Sequence, residues 1–525
     1  MSLRPRGPVA LVVVLLLAIA GGASAQKQHK DTRHGFSVKP PKGFTSVALN
    51  PTERIMVAKY QDEDRSLGEG GTSARFNMFT VSFLPWPDDV ESLEEDSDFD
   101  GQHPWVLDAL KGRTGYFEIE KDKTLKVGKE KCRELQLLHS AGSSTPLMSY
   151  QVLVPADHGI FIVSGDAFEH RFSKAMRDFQ KAARTFKLIE REGSEERESE
   201  LAQLSPQERF LKEQIDKLPP GWDSLRTDRY LFLFNAEKDF VEEMAEQIEA
   251  MRNVYEELYP PDEPIDAVSI VRVCNSRDEY MGYGGPSGSG GYWSSFHKEL
   301  VFFDMRPRDF TLGVLNHEAF HQYIYYFYGE LAPHSWYNEG HGDYFAGARM
   351  TRSYRITGFG DAPAGIARSQ AIKNGVRLYK QGKRPNEGAC VPLRDLMRFT
   401  QQEYYTNAGV NYAAGWAVVH MLREGKLYND KWKAILPDYL DHLLAARHEQ
   451  ATGLMEEALS EFEERKEAGD IDEDDTPPSS DPESYYHLVN RNEVQAAAYE
   501  TTFAEWSDDD WEDFEEYWLE YVEKV

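Results

Sequence analysis

Asn316-His317-Glu318-Ala319-Phe320-His321-Gln322, followed by Trp336-Tyr337-Asn338-Glu339-Gly340, decides how the rest of the chain is read. The first stretch carries H-E-x-x-H. On a helix, residues four apart lie one above the other, so both imidazoles can face one ion. Leu312, Leu315, Ala319, Tyr323 and Phe327 recur at helical spacing, with Asp309 and Thr311 as expected N-caps after Pro307. Glu318 can face the open side of such an ion. Two neutral imidazoles and one carboxylate would leave zinc a fourth position for water. Glu339 is the candidate carboxylate. It follows a break at Pro333 and a cap at Ser335, early in a second apolar stretch (Trp336, Tyr337, Tyr344, Phe345). Two helices joined by a short turn would return it to the histidines.

H-E-x-x-H alone also fits two surface histidines on an ordinary amphipathic helix. The second stretch separates the readings. Asn338-Glu339-Gly340-x-x-Asp343 resembles the gluzincin metallopeptidases, whose third zinc ligand is a glutamate on the next helix. The resemblance implies zinc held by His317, His321 and Glu339. It gives Asp343 the part of the aspartate that orients a histidine ligand in the thermolysin branch; Asn338 is a second outer candidate. His341 is a local rival ligand. The metzincin pattern fails, because Ile324 and Phe327 stand where its glycine and third histidine belong.

Met1 to Ala25 reads as a secretory signal: Arg4 and Arg6, an apolar run from Val9 to Ala20, and Ala23-Ser24-Ala25 before Gln26. Cleavage after Ala25 would release a secreted or periplasmic protein. The apolar run is shorter than the roughly 18 residues of a membrane span, and no later stretch qualifies. The 525 residues suggest roughly two or three domains. With 89 acidic against 59 basic residues, the net charge is −30, which repels phosphate backbones and argues against nucleic acid as a partner. Cys132, Cys274 and Cys390 are too few and too scattered for a disulfide framework; buried thiols are the simpler reading.

The expected architecture is α+β and multidomain. Residues 26–190 read as an N-terminal α+β domain: the strand Phe76–Phe83 alternates with period two, Tyr150–Val154 and Ile160–Ser164 form a hairpin, and a helix follows with Phe172, Met176, Phe179 and Ala183 on one face. Its opening Gly-Phe-Ser and closing Val-Ser-Gly-Asp…Phe-Lys-Leu resemble PsbP-like domains. It carries no catalytic constellation, which leaves substrate or partner-protein binding as its role. Residues 191–220 are a charged linker or helix. Residues 221–525 are expected to be a mainly helical, zincin-like catalytic domain with a small β-sheet lobe, an acidic loop at 470–484 and a closing C-terminal helix whose aromatic face (Trp511, Phe514, Tyr517, Trp518, Tyr521) docks on it. The helices Trp432–Leu444 and Gly453–Phe462 are expected to be separate. The glycine-rich run 282–291 lacks the lysine and context of a phosphate cradle and reads as a loop at the cleft mouth. Glu299–Asp304 is a strong short strand. In gluzincins the strand at this position is the sheet edge along which a peptide pairs, which would make this one an edge.

Asn411 to Leu422 is a buried helix by its spacing, and it resembles the Tyr-x-x-Gly helix of the aminopeptidase N and leukotriene-A hydrolase branch. The resemblance makes Tyr412 the donor to the developing oxyanion, with Tyr405 and His420 as reserves. The exopeptidase motif of the aminopeptidase N group is absent. From about Tyr230 onwards the pattern resembles a peptidase-MA-like group of exported bacterial proteins. It implies peptide-bond hydrolysis with Glu318 as general base. The alternative is an exported, non-catalytic binding protein whose zinc site is vestigial or structural, closed by His341 or His334.

Overall fold

The computed structural model describes residues 28–49, 53, 55–62, 77–86, 117–139, 146–191, 199, 202–261, 265–329, 333–351, 356–468 and 476–525. The signal-type stretch 1–25, most of 192–201 and the first part of the acidic stretch 470–484 lie outside them. The chain is a multidomain α+β protein. It divides into two compact units, Met1–Phe44 with Asn77–Glu192, and Thr45–Phe76 with Gly193–Val525.

The first unit contains β1 (His29–Asp31), β2 (Phe36–Val38), β3 (Met78–Pro85), β4 (Phe117–Val127), β5 (Glu130–His139), β6 (Leu147–Ala156), β7 (Gly159–Phe168), α1 (Glu169–Ala183) and β8 (Lys187–Leu188). Strands β3, β7, β6, β5 and β4 lie side by side in that order, each antiparallel to the next. The register sets Val81, Val163 and Val152 in one row. Helix α1 buries Phe172, Phe179, Ala182 and Ala183. The backbone of β7 is bare at Gly165, where a Cβ would run into the Phe179 ring. The chain then returns through β8 to pair with β2.

The second unit is mainly helical around one five-stranded sheet. Helix α2 (Pro206–Asp216) opens with a capping box between Ser205 and Glu208. There follow β9 (Asp223–Arg226), β10 (Tyr230–Phe234), α3 (Lys238–Leu258), β11 (Ser269–Cys274), α4 (Arg277–Tyr283), β12 (Gly291–Ser294) and β13 (Glu299–Phe303). The sheet order is β9-β10-β11-β13-β12, with β10, β11 and β13 parallel and the outer strands antiparallel to their neighbours. The strand expected to be an edge, β13, is therefore internal, paired with β11 on one side and β12 on the other. All five of its residues are buried, the mark of a strand covered on both faces. The edge on that side of the sheet is β12, which emerges from the glycine-rich loop.

Beyond the sheet run α5 (Arg308–Tyr328), α6 (Ser335–Ala346), the hairpin β14 (Ala348–Met350) and β15 (Ile356–Phe359), α7 (Pro363–Lys380), α8 (Gln401–Thr406), α9 (Ala408–Glu424), α10 (Asp430–Ala468), α11 (Arg491–Thr502) and α12 (Asp508–Lys524). Helix α5 starts one turn earlier than its expected caps: Pro307 is the N-cap, and the Thr311 hydroxyl accepts from the Met305 N–H. The two helices expected after residue 430 are one, α10, because Leu443, Arg447 and Ala451 continue a buried seam at four-residue spacing. Phe232, Met244, Ile248, Tyr255, Leu300, Leu315 and Phe320 share one core with α6, α9 and α12. Helix α12 buries Trp511, Phe514, Trp518 and Val522 in it. Cys132, Cys274 and Cys390 are buried free thiols. No helix among the described residues is long and apolar enough to cross a membrane.

The start of α6 is pinned by its N-cap, His334. The His334 N–H donates to the Tyr439 hydroxyl at 2.8 Å, and that hydroxyl donates to Nδ1, also at 2.8 Å. Burial, reinforced by the Arg491 charge, pushes the His334 pKa down to about 4. In the unfolded chain it returns to about 6.5, so between these values the unfolded state binds the proton more readily. Stability from this group is complete above about pH 6.5 and is lost as the pH falls towards 4, on the order of 3 kcal/mol. Urea unfolding across this range should show the decline, and His334→Gln should flatten it. An unchanged slope in the variant would contradict the assignment.

Candidate metal centre and active site

Helix α5 places His317 and His321 one turn apart, with ring centroids 4.7 Å apart and planes at 81°. Helix α6 returns Glu339 to them: its Oε2 lies 3.2 Å from His317 Nε2 and 3.6 Å from His321 Nε2. One ligand atom from each residue falls within 4.8 Å of the others. Bonds of 2.0–2.2 Å in a tetrahedron put neighbouring donors about 3.3 Å apart, so this donor set fits a zinc-sized ion. The helix pair is held by Asn316. Its side chain accepts from Gln247 Nε2 of α3 at 3.0 Å and donates to the Phe345 carbonyl of α6 at 3.3 Å. The Tyr255 hydroxyl donates to the Asn316 carbonyl at 2.7 Å.

Both outer candidates meet a histidine. His321 Nδ1 donates to Asn338 Oδ1 at 3.2 Å, which leaves its Nε2 lone pair facing inward. His317 Nδ1 lies 3.3 Å from Asp343 Oδ1. Sequence reasoning missed Arg368 of α7, whose Nη2 donates to Asp343 Oδ1 at 3.1 Å and whose Nε lies 2.7 Å from Oδ2. The same guanidinium sits 5.1 Å over the Tyr412 ring. No local pattern marks this contact, because 25 residues separate the partners.

Burial opposes the charge on His317, but hydrogen bonds with Asp343 and Glu339 outweigh it and hold its pKa well above the ordinary value. Burial likewise opposes the charge on Glu339, yet the two histidines keep it ionised, well below the usual carboxylate range. Glu318 goes the other way: burial raises it against the pull of His317 and His321. Its Oε2 accepts from the Trp293 N–H on β12 at 3.0 Å. In an antiparallel ladder a residue turns its N–H and C=O to one side, so the Trp293 carbonyl also faces away from β13.

The tyrosine whose hydroxyl contacts the triad is Tyr405 on α8, which donates to Glu339 Oε1 at 3.0 Å. Tyr412 stacks on the Tyr405 ring, with centroids 6.0 Å apart and planes at 16°. It makes no direct bond to the three inward groups. His420 is committed elsewhere, to the Tyr521 hydroxyl at 2.8 Å and the Phe359 carbonyl at 3.0 Å. His341 has both nitrogens engaged: Nδ1 donates to the Tyr337 carbonyl at 2.7 Å, and Nε2 faces the Tyr259 hydroxyl and Arg423 at 2.8 and 2.9 Å. Burial and the Arg423 charge hold it well below the ordinary histidine pKa.

No family model matches the chain, and no curated protein matches it. Solved structures give weak likenesses. Cyanobacterial PsbP from Synechocystis sp. is 15% identical, covering 33% of this chain and 99% of its own, with a TM-score of 0.24. A protein of unknown function from Pseudomonas aeruginosa is 13% identical, covering 32% and 98%, with a TM-score of 0.20. A protein from Bacteroides thetaiotaomicron is 8% identical, covering 57% and 80%, with a TM-score of 0.23.

Removing the Asp343 carboxylate frees the His317 ring and strands Arg368. Asp343→Ala should weaken zinc binding by about 10- to 100-fold, measured by competition with a chromogenic chelator. Affinity equal to that of the parent protein would contradict an orienting role.

Proposed function

We propose that this chain is an exported, zinc-dependent peptidase. One observation carries the reading: the Glu339 carboxylate lies 3.2 and 3.6 Å from the His317 and His321 nitrogens, the three donors fall within 4.8 Å of one another, and Glu318 stands beside them against the sheet edge. His341 and the Nδ1 of His334 are engaged elsewhere, and among the described residues the triad is the sole cluster with metal-ligand spacing. This favours an open catalytic site over a closed structural one. The Met1–Ala25 pattern supports export, to the periplasm or beyond.

In this proposal His317, His321 and Glu339 hold the ion, which supplies Lewis acidity towards water and the scissile carbonyl. The substrate backbone lies along β12, where Trp293 offers its carbonyl. The Glu318 carboxylate takes a proton from the attacking water and returns it to the leaving nitrogen. Its raised pKa brings it nearer the value suited to that exchange. Tyr405, rather than Tyr412 alone, stands next to the ligand carboxylate, so the pair shares the oxyanion-donor role expected of Tyr412.

Glu318→Gln should keep its zinc and lose hydrolysis by ~10²–10⁴. The Tyr405→Phe, Tyr412→Phe double variant should keep zinc and lower kcat by ~10²–10³. Zinc content by elemental mass spectrometry and turnover of a fluorogenic peptide library check both. Parental turnover in Glu318→Gln would remove the mechanism and favour the binding-protein reading.

A further inference from the structure

Helix α11 begins at Arg491, immediately after its cap Asn490, whose Oδ1 accepts from the N–H groups of Asn492 and Glu493. A cation in the first turn opposes the helix dipole, so helix formation does not account for this residue. Its side chain is exposed, and its one hydrogen bond among the described residues is a long contact from Nη1 to Gln401 Oε1 at 3.5 Å. It forms no ion pair among those residues, whereas Arg368, Arg394 and Arg398 are paired with Asp343, Asp508 and Asp395.

Its position gives it a use. From Gln401 the Nε2 donates to the Tyr405 hydroxyl at 3.3 Å, and that hydroxyl donates to Glu339 Oε1 at 3.0 Å. These contacts put the guanidinium within about 12 Å of the ligand carboxylate, the reach of roughly three extended residues. Packing of neighbouring atoms around the guanidinium lowers the pKa of Arg491, and the Glu339 carboxylate acts in the opposite sense.

We propose that Arg491 anchors a carboxylate of the substrate a few residues from the scissile bond, which makes acidic peptides the substrate class. The inference rests on the peptidase reading. A guanidinium grips a carboxylate through two parallel N–H donors, a geometry that lysine cannot reproduce. The carboxylate is either the peptide's C-terminus or an Asp or Glu side chain.

The test uses zinc-loaded full-length protein and one randomised peptide library in free-acid and amidated forms, with and without internal Asp and Glu. The expected result is a kcat/KM preference of roughly 10- to 100-fold for carboxylate-bearing peptides, expressed in KM. Arg491→Gln should erase that preference and Arg491→Lys should restore part of it. Preference for the free acid over the amide assigns the C-terminus; preference for internal Asp or Glu assigns the side chain. Turnover indifferent to both, or a preference that survives in Arg491→Gln, overturns this inference and leaves the peptidase reading standing. No turnover of any peptide by the parent protein overturns both.

Discussion

Helix α6 approaches α5 on one side and α9 on the other more closely than side chains would allow, and the second unit is arranged around that approach. A Cβ at Gly342 would sit 2.7 Å from His317 Cε1, and a Cβ at Gly340 would sit 2.7 Å from the Gly415 carbonyl oxygen. Gly415 in turn faces the Trp336 backbone, its Cβ position 3.2 Å from the Trp336 oxygen. Each glycine inside a helix costs about 1 kcal/mol relative to alanine. That cost is offset where the glycines let Glu339 reach both histidines while Asn338 and Asp343 flank it. Within the Asn-Glu-Gly-His-Gly-Asp run, Asn338, Glu339 and Asp343 thus reach the site, while Gly340 and Gly342 stand where a side chain would collide.

Charge is the second constraint. Glu318, Glu339 and Asp343 converge on two histidines and Arg368, half-buried or buried, and each carboxylate raises the cost of ionising the next. The pairs partition this cost: Glu339 and His317 are held charged by one another, while burial raises the Glu318 pKa. Under the proposed reading the carboxylates divide their work in the same way, Glu339 as ligand and Glu318 as proton carrier.

Local periodicity made part of this legible. The four-residue spacing of His317 and His321 and the helix break at Pro333 give both helices directly, and the resemblance to gluzincins pointed to Glu339, Asn338 and Asp343. The edge strand was misread because the resemblance to gluzincins placed the edge at Glu299–Phe303, although burial along the whole strand is the mark of one covered on both faces. The true edge, Gly291-Tyr-Trp-Ser, follows a glycine-rich loop and is only four residues long. Arg368 carries no local signal, and Tyr405 was only a reserve for the oxyanion donor: they meet Asp343 and Glu339 through tertiary packing across 25 and 66 residues. The continuity of α10 was hidden by polar residues between its buried positions.

The central claim, that His317, His321 and Glu339 together hold a zinc ion, is tested most directly by elemental mass spectrometry of the purified protein beside His321→Ala. The account predicts about one zinc per chain, lost in the variant. Absence of zinc in the parent protein after reconstitution, or equal zinc in the variant, would contradict it.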